Sequence, residues 1–339
     1  ILDGEEYAFP RGADLAADLL ARDFTINALA LDLPDYPARP ERADPARLYA
    51  VHPHGLADLE HRVLRPASEA ALSADPLRVF RAARFLARFP DFAPHPTLLP
   101  AMREAAAAGL LAGLAGERVG MEARKALRTA APGRFLRLLA GAGCLAPWFA
   151  ELDGADRIPA GPAPYHAESV LEHTAQVLDR LAGLAPDNEL AGWMGLAHDL
   201  GKALTPPAEW PRHLGHEERG QDAAEALGRR LALPERLVQA GRLAARLHMA
   251  AMRYAELRPG TRVDLLAAAA AGAVSRELFL LAQADHGTDH WPAASRDLET
   301  MRAVRLPPGD RDLGPESGRR LRELRAQALA GQERTPRFD

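Results

Sequence analysis

A small set of histidines and aspartates in the second half of the chain constrains its fold most strongly. The set contains an adjacent His-Asp pair, isolated histidines on either side and a late aspartate: His173, His198, Asp199, His216, His248 and Asp285. Imidazole and carboxylate ligands together suit divalent ions such as Mg, Mn, Ni, Co or Fe. Such an ion lowers the pKa of a bound water and makes it a nucleophile near neutral pH. We therefore expect these side chains to fold inward around a common cation.

The stretch around the His-Asp pair, Gly195-Leu-Ala-His198-Asp199-Leu-Gly-Lys202, is typical of metal sites. We predict that His198 and Asp199 end a helix that Gly201 terminates. Neighbours on a helix point about 100° apart, and both can reach one ion that lies near the helix end. Lys202 then follows the turn and is placed to meet an anionic substrate.

The predicted site divides its ligands into two groups. The first ion is assigned to His173, His198, Asp199 and Asp285, while His216 and His248 hold a second ion or bind the leaving phosphate. The predicted reaction is hydrolysis of a phosphomonoester or cyclic phosphodiester, with His198, Asp199 and Lys202 as catalytic residues. Glu172 and Glu217 are candidates for carboxylates that orient the ligands. Any one of these histidines alone is also compatible with a core or surface position.

Composition excludes some classes of protein. The chain has 339 residues and a net charge of −4, so its overall charge does not predict a nucleic-acid partner. Arginine greatly outnumbers the two lysines, which we attribute to codon bias, so arginine richness alone is a weak indicator of phosphate binding. A single cysteine, Cys144, excludes an internal disulfide and fits a reducing compartment. No apolar run reaches about 18 residues and no signal peptide is recognisable, so we expect a cytoplasmic protein without a membrane partner.

The periodicity of apolar residues predicts a mainly α, multi-domain chain with a small β component at its start. Extended patterns are confined to residues 27–33 and 47–51, with a proline-rich loop from Pro34 to Pro45 between them. The predicted domains are a head remnant at 1–66, a helical neck at 67–153, a metal-binding domain at 160–300, and a C-terminal helix and tail at 301–339. Residues 67–137 carry eleven Lys/Arg against six Asp/Glu, a plausible phosphate-facing surface, although solvated helix faces would give the same excess.

Two strings in the first half suggest a nucleotide site. Asp75 and Arg78 are three residues apart and are expected on one helical face, where an acceptor and a fork of donors can read the edge of a base. Arg22, in Arg22-Asp-Phe-Thr-Ile-Asn27, and Arg81 can bind a triphosphate.

These strings, in this order, resemble the bacterial class II tRNA nucleotidyltransferases, the CCA-adding enzymes of the poly(A) polymerase/tRNA nucleotidyltransferase family that carry a C-terminal HD phosphohydrolase domain. Glu117-Arg-Val119 and Leu204-Thr-Pro-Pro-Ala-Glu-Trp-Pro-Arg-His213-Leu-Gly-His216 extend the resemblance, which runs from about residue 10 to about residue 335. It implies a nucleotide site made of Arg22, Asp23, Asn27, Asp75, Arg78 and Arg81.

The resemblance also implies partners and cofactors. These are tRNA, CTP and ATP, with Mg for nucleotidyl transfer and Ni, Mn, Co or Mg at the HD site. It implies phosphatase and 2′,3′-cyclic phosphodiesterase activity, and it allows a homodimer.

Four departures from the family pattern bear on activity. Ala21 and Ala74 stand where the family has Arg and Glu, and His52-Pro53 stands where it has Asp-Pro. The Gly-Ser loop and the Asp-x-Asp pair, which two-metal phosphoryl transfer requires, are not recognisable, and Asp3-Gly-Glu5 is interpreted as a turn.

These departures leave three hypotheses open. The chain, which begins at Ile1 in mid-pattern, is a nucleotidyltransferase seen without its N-terminal catalytic segment, so that nucleotide addition is doubtful for this chain alone. Alternatively it is a metal-dependent phosphohydrolase with a degenerate RNA-docking first half, or a non-catalytic RNA-binding or dimerisation module.

Overall fold

A computed structural model describes residues 14–30, 49–50, 52–164 and 166–333. Within these ranges helices dominate and strands occur only as two-residue pairs, which confirms the predicted mainly α class with a small β component. The predicted turn at Asp3-Gly-Glu5 and the predicted proline loop from Pro34 to Pro45 lie outside the described residues.

The chain divides into two compact units. The first unit extends to Ala126 and resumes at Arg134–Asp153, while the second contains Leu127–Gly133 and continues from Gly154. The boundaries predicted at residues 66, 153, 160 and 300 stay predictions.

The first unit is built from helices with short strands between them. Its helices are α1 (Leu15–Leu20), α2 (Gly55–Glu60), α3 (Ala71–Ala74), α4 (Arg78–Arg88), α5 (Leu98–Ala107), α6 (Gly116–Leu127) and α7 (Gly133–Gly141). The strands are β1 (Leu29–Ala30), β2 (Tyr49–Ala50), β3 (Val63–Leu64) and β4 (Ala93–Pro94). β1 pairs antiparallel with β2, in register Leu29 to Ala50, and β3 pairs parallel with β4, in register Val63 to Ala93.

Helix α4 buries one broad face because its apolar residues recur at helical spacing on that face, while its arginines occupy the opposite side. Phe80 and Leu86 are fully covered, and Phe80 lies 6.3 Å from the ring of Phe149. The buried charge on this helix, Arg84, forms an ion pair with Glu122 at 2.5 Å. A buried charge needs such a partner because an unpaired one would be strongly destabilising.

The second unit is a larger helical assembly. Its helices are α8 (Val170–Leu184), α9 (Glu189–Ala197), α10 (Leu200–Ala203), α11 (His216–Arg230), α12 (Glu235–Met252), α13 (Pro259–Ala271), α14 (Ser275–His286), α15 (Trp291–Ala303) and α16 (Pro315–Glu333). Helix α12 packs against α9, α11 and α14, while α16 packs against α13 and α15. Side chains of Ser169 and Asn188 cap the first turns of α8 and α9, accepting from the amides of Glu172 and Ala191.

Helix α9 is apolar on all sides and is buried from Leu190 to Ala197. Among the residues that the structure describes, no individual helix combines the length and the hydropathy of a membrane span. The joined pair α13 and α14 passes that length and composition test, but the two helices meet at a bend of 116°. Part of their apolar surface is used in packing, since Leu266, Leu278 and Phe279 are fully covered.

Candidate metal centre

The second unit brings the six predicted ligand residues to one point. His173 lies in α8, His198 follows α9, Asp199 immediately precedes α10, His216 begins α11, His248 lies in α12 and Asp285 lies in α14. The four imidazoles and Asp199 are buried. Helix packing therefore gathers side chains that are far apart in the sequence.

One oxygen of the Asp199 carboxylate faces the first group of ligands. Its Oδ2 atom lies 3.2 Å from His198 Nε2, 3.5 Å from His173 Nε2 and 2.7 Å from Lys202 Nζ. The Asp285 carboxylate approaches the same imidazoles, with Oδ1 at 3.1 Å from His173 Nε2 and Oδ2 at 3.9 Å from His198 Nε2. These four ligand side chains form one compact cluster.

The other oxygen of Asp199 faces the second group. Its Oδ1 atom lies 3.4 Å from His248 Nε2 and 3.7 Å from His216 Nε2. The rings of His198 and His248 are adjacent, with centroids 5.2 Å apart. Asp199 thus lies between two sets of imidazoles and offers one oxygen to each.

Each ligand imidazole has its other ring nitrogen beside a fixed acceptor. The acceptors are Glu168 Oε1 for His173 at 3.2 Å, the Gly195 carbonyl for His198 at 2.8 Å, the His213 carbonyl for His216 at 2.9 Å, and the Ala244 and Ala245 carbonyls for His248 at 3.1 Å. Because these oxygens only accept, Nδ1 is the donor in each ring.

The tautomers leave four Nε2 atoms directed at carboxylate oxygens. None of the four has a hydrogen-bond partner among the residues that the structure describes. In the neutral rings their lone pairs would face other acceptors at close range, and buried polar atoms rarely stay unsatisfied. A cation between them removes this repulsion, so the donor set fits a bound divalent metal.

Electrostatics keep the acid groups of the cluster ionised. Burial opposes charge on Asp199, but Lys202 and His198 outweigh it and hold the pKa of this carboxyl well below its usual value. Burial likewise opposes charge on Asp285, and the adjacent His173 and His198 still lower the pKa of that carboxyl. Burial lowers the pKa of His216, which favours the neutral, metal-binding form of that ring.

Gly201 does not terminate a helix, and that prediction was wrong. Helix α9 ends at Ala197, and Gly201 lies inside the short helix α10. A Cβ atom at Gly201 would lie 1.9 Å from the carbonyl oxygen of His216 and 2.7 Å from the amide nitrogen of Gly220. The glycine is needed because α10 and α11 touch there through their backbones, which brings His216 close to the His-Asp pair.

A pocket of about 140 Å³ opens beside the cluster. Its lining includes the ligand residues His216 and Asp285, together with Lys202, Arg212 and His166. Positive side chains next to a cation-binding cluster suit a substrate that carries phosphate.

Glu168 is a functional candidate that the sequence prediction missed. Its Oε1 atom accepts hydrogen bonds from His166 Nδ1 at 2.8 Å and from His173 Nδ1 at 3.2 Å. Burial opposes its charge, but the bond from His166 and backbone amides lower the pKa of Glu168 to about 2. Its position five residues before a ligand histidine was the available signal, but Glu168 precedes the helix, so helical spacing did not reveal the contact.

Glu172 and Glu217, the two carboxylates predicted to orient the ligand histidines, make other or weaker contacts. Glu172 accepts a hydrogen bond from Gln176 at 3.1 Å on the same helix. Glu217 Oε2 is 3.7 Å from His216 Nδ1, a looser contact than the bond that this ring nitrogen makes to a backbone carbonyl. Orientation of the ligand rings therefore depends mainly on backbone carbonyls and on Glu168.

The predicted nucleotide residues of the first unit form two groups of contacts. Asp23 accepts hydrogen bonds from Asn27 at 2.8 Å and from Arg81 at 2.7 Å, so these three side chains are joined. Arg22 instead pairs with Asp18 one helical turn earlier.

Asp75 and Arg78 do not share one helix, and that premise was wrong. Asp75 follows α3 in an extended conformation, whereas Arg78 is the first residue of α4. Arg118 contacts the Asp75 carboxylate at 3.3 Å, and Arg78 donates to the carbonyls of Ala21 and Ala71. The proline at position 76, which the preceding residue accommodates in an extended conformation, separates the two helices.

Two families match this chain, one in each half. Residues 165–286 match the family described as "HD domain", and residues 91–155 match "Probable RNA and SrmB-binding site of polymerase A". The fold and the centre thus define an HD-domain enzyme joined to a polymerase-type RNA-binding segment.

Two curated relatives narrow this class. The chain is 41% identical to the multifunctional CCA protein of Stenotrophomonas maltophilia (strain R551-3) over 285 residues, which cover 78% of this chain and 67% of that protein. It is 38% identical to the multifunctional CCA protein of Xanthomonas euvesicatoria pv. vesicatoria (strain 85-10), with 98% of this chain and 86% of that protein covered. The chain belongs to this family, the bacterial CCA-adding enzymes that carry an HD domain.

Solved structures show the same fold at lower identity. A Thermotoga maritima CCA-adding enzyme complexed with tRNA is 18% identical with a TM-score of 0.59, covering 96% of this chain and 71% of its own. A CCA-adding enzyme complexed with CTP is 18% identical with a TM-score of 0.60, covering 96% and 70%.

Proposed function

We propose that the centre around Asp199 binds divalent metal and hydrolyses phosphate esters, either phosphomonoesters or 2′,3′-cyclic phosphodiesters. The observation that carries the proposal is the convergence of four imidazole Nε2 atoms on two ionised carboxylates, with every Nδ1 proton directed elsewhere. A metal bound there would polarise the phosphate and activate a water molecule. The side chains of the protein orient the substrate, and the lowered pKa values of Asp199 and Asp285 keep both carboxylates ionised.

The proposed ligands follow the two sides of Asp199. The first ion would be held by His173, His198, Asp199 and Asp285. The second would use His216, His248 and the other oxygen of Asp199, an arrangement that the contacts at 3.4 and 3.7 Å support over direct phosphate binding by these two rings. Ni, Mn, Co and Mg are the proposed metals, because mixed imidazole and carboxylate sets suit them.

Lys202 and Arg212 are the proposed phosphate-binding residues of this site. Lys202 Nζ is 2.7 Å from Asp199 Oδ2 and also lines the pocket, so its charge is held in place beside the ligands. Arg212 is exposed at the same pocket and can offer paired donors to phosphate oxygens. His198, Asp199 and Lys202 remain the proposed catalytic residues.

Hydrolysis of 2′,3′-cyclic AMP by the full chain tests the proposal. We expect turnover with added Ni, Mn or Co, loss of turnover with a chelator, and none from His198→Ala. Chain unfolding is excluded if the variant keeps the parent's circular dichroism. No metal-dependent turnover of either the cyclic ester or p-nitrophenyl phosphate would overturn the proposal.

For the first unit we propose nucleotide and tRNA binding in CCA addition, with Mg for nucleotidyl transfer. The family membership and the tRNA and CTP bound by two neighbours of the same fold support it. The joined side chains of Asp23, Asn27 and Arg81, with Arg22, Asp75 and Arg78, are the proposed nucleotide site. A homodimer and a cytoplasmic location stay predictions.

Arg78→Met is expected to weaken CTP and ATP binding by about tenfold or more, because one charge-assisted hydrogen bond to a ligand contributes roughly 1.5–3 kcal/mol. Arg88→Met on the same helix is the control, since Arg88 is exposed and lies over the Phe89 ring. Isothermal titration with each nucleotide measures the effect. Equal affinity of Arg78→Met and the parent would remove Arg78 from the site, while hydrolysis of cyclic AMP should not change.

Glu168→Ala is expected to weaken metal binding by about 10–100-fold, the usual effect of removing the partner of a ligand histidine. Glu168→Gln keeps an acceptor oxygen for His173 Nδ1 and should restore most of the affinity. Competition with a chelating dye for Ni or Co measures both variants without any assay of activity. If Glu168→Ala and Glu168→Gln bind metal with equal affinity, Glu168 does not orient His173.

A further inference from the structure

The first unit contains a cavity of about 380 Å³ among α4, β4, α5 and α7. Its lining combines aliphatic side chains with guanidinium groups: Leu86, Pro94, Leu99 and Leu138, with Arg103 and Arg134. We call it the arginine pocket. Its volume lies within the range of roughly 300–1,000 Å³ that is usual for small-molecule sites.

The guanidinium of Arg134 is fixed without being neutralised. It donates to the backbone carbonyls of Phe89 at 3.3 Å, Pro90 at 2.5 Å and Phe92 at 2.8 Å, the segment that follows α4. Arg103 donates to the carbonyl of Gly141 at 3.0 Å. Neither arginine forms an ion pair within the described part of the chain.

Most other arginines with defined contacts in this unit are paired with acids. Arg65 pairs with Asp58 at 2.9 Å, and Arg84 pairs with Glu122 at 2.5 Å. Arg103 and Arg134 differ because their partners are neutral carbonyls that hold the position of the charge and leave it uncompensated. Two fixed positive charges beside an apolar wall form a prepared site for an anion that has an apolar body.

We propose that the arginine pocket binds one unstacked nucleotide of an RNA strand, with its base against the leucines and an adjacent phosphate on Arg103 and Arg134. Recognition of unpaired RNA commonly combines an exposed base face with charge on the backbone. A lone phosphate would leave the aliphatic wall uncovered, and a purely apolar segment would desolvate two arginines without compensation. The inference rests on the proposed function, tRNA binding by the first unit, and names the place where one nucleotide of that RNA lies.

Gly141 provides a way to block the pocket without replacing either arginine, because its carbonyl, the acceptor of the Arg103 hydrogen bond, is kept in any substitution. It lines the cavity at the end of α7, and a Cβ atom there would meet nothing within 4 Å. Gly141→Leu should therefore be accepted by the fold and fill part of the space. Gly113→Leu is the matched control, because Gly113 is an exposed glycine of the same unit, outside the pocket, with equally open space around it.

The experiment measures binding of a labelled RNA hairpin with a short unpaired 3′ extension, and of the same hairpin with a blunt end, to the full chain. We expect Gly141→Leu to weaken binding of the extended hairpin about tenfold, consistent with the loss of one base contact, and to leave the blunt hairpin unaffected. Gly113→Leu should stay within about twofold of the parent. Arg103→Met should also lower the slope of log affinity against log salt by about 0.7, the value for one phosphate contact of a single strand.

Each outcome decides the proposal. Parent-like affinity and salt slope in both Gly141→Leu and Arg103→Met would overturn the pocket while leaving RNA binding elsewhere intact. Binding of an acidic aromatic peptide that Gly141→Leu abolishes, with RNA affinity unchanged, would make the pocket a protein site and overturn it too. A parent chain that binds neither hairpin would overturn both the pocket and the proposed tRNA substrate, whereas failure of cyclic AMP hydrolysis would concern only the metal centre.

Discussion

Asp199→Asn is expected to abolish metal-dependent hydrolysis of 2′,3′-cyclic AMP, with kcat/KM falling by at least about a thousandfold. Replacing an outer partner of a ligand usually costs roughly 10–100-fold, and Asp199 is closer to the chemistry than that. Its two oxygens face His198 and His173 on one side and His248 and His216 on the other. Losing the charge of this one carboxylate should therefore weaken both halves of the centre together.

The same substitution has a separate effect on stability. Lys202 is buried with its ammonium 2.7 Å from Asp199, and an unpaired buried charge costs about 3–5 kcal/mol. Asp199→Asn combined with Lys202→Met removes both charges and should recover most of the lost free energy of unfolding. Activity should not return in the double variant, because two of the three proposed catalytic residues are absent.

Asp264→Asn is the control for Asp199→Asn. Asp264 is an aspartate of the same unit whose ion pair with Arg322 is exposed, so its loss should change stability by less than about 1 kcal/mol and leave hydrolysis intact. Nickel affinity from chelator competition, urea unfolding and initial rates would be measured on all variants. Parent-like nickel affinity and rate in Asp199→Asn would show that this carboxylate is not the shared ligand.

The sequence was sufficient to predict which side chains meet at the centre, because the ordered series from His173 to Asp285 has few uses other than metal binding. It was also sufficient for the mainly α class, which follows from periodicity. It did not identify Glu168, which lies before the first turn of α8 and reaches His173 Nδ1 through the local path of the chain. Contacts of this kind depend on loop conformation, which residue spacing does not specify.

Two errors have a common physical origin. Gly201 was predicted to terminate a helix, and Asp75 was predicted to share a helical face with Arg78. Both predictions were based on local propensity alone. Gly201 allows the close approach of α10 and α11. Asp75 has an extended backbone conformation and lies before Pro76, outside both helices. Local sequence indicates which backbone conformations a residue favours. The roles of Gly201 and Asp75 depend instead on the segments that pack against them or follow them.

Gly201→Ala is expected to lower the free energy of unfolding by at least about 3 kcal/mol, at the upper end of the range for overpacking. The added methyl would lie 1.9 Å from the carbonyl oxygen of His216 and 2.8 Å from its carbonyl carbon, and backbone atoms cannot move aside as a flexible side chain can. The helices α10 and α11 must therefore separate, which displaces His216 from the His-Asp pair. We expect nickel affinity to fall with stability.

Gly183→Ala is the matched comparison for Gly201→Ala. Gly183 lies inside α8, is exposed, and has nothing within 4 Å of an added Cβ, so alanine should stabilise the helix by up to about 1 kcal/mol. The two substitutions add the same methyl group to helical glycines of one unit, and only the distance to neighbouring backbone differs. The free energy of unfolding, measured by urea denaturation with tryptophan fluorescence, should therefore fall in Gly201→Ala and rise in Gly183→Ala. If the free energy of unfolding changes in the same direction in both variants, close contact between α10 and α11 does not explain why position 201 is glycine.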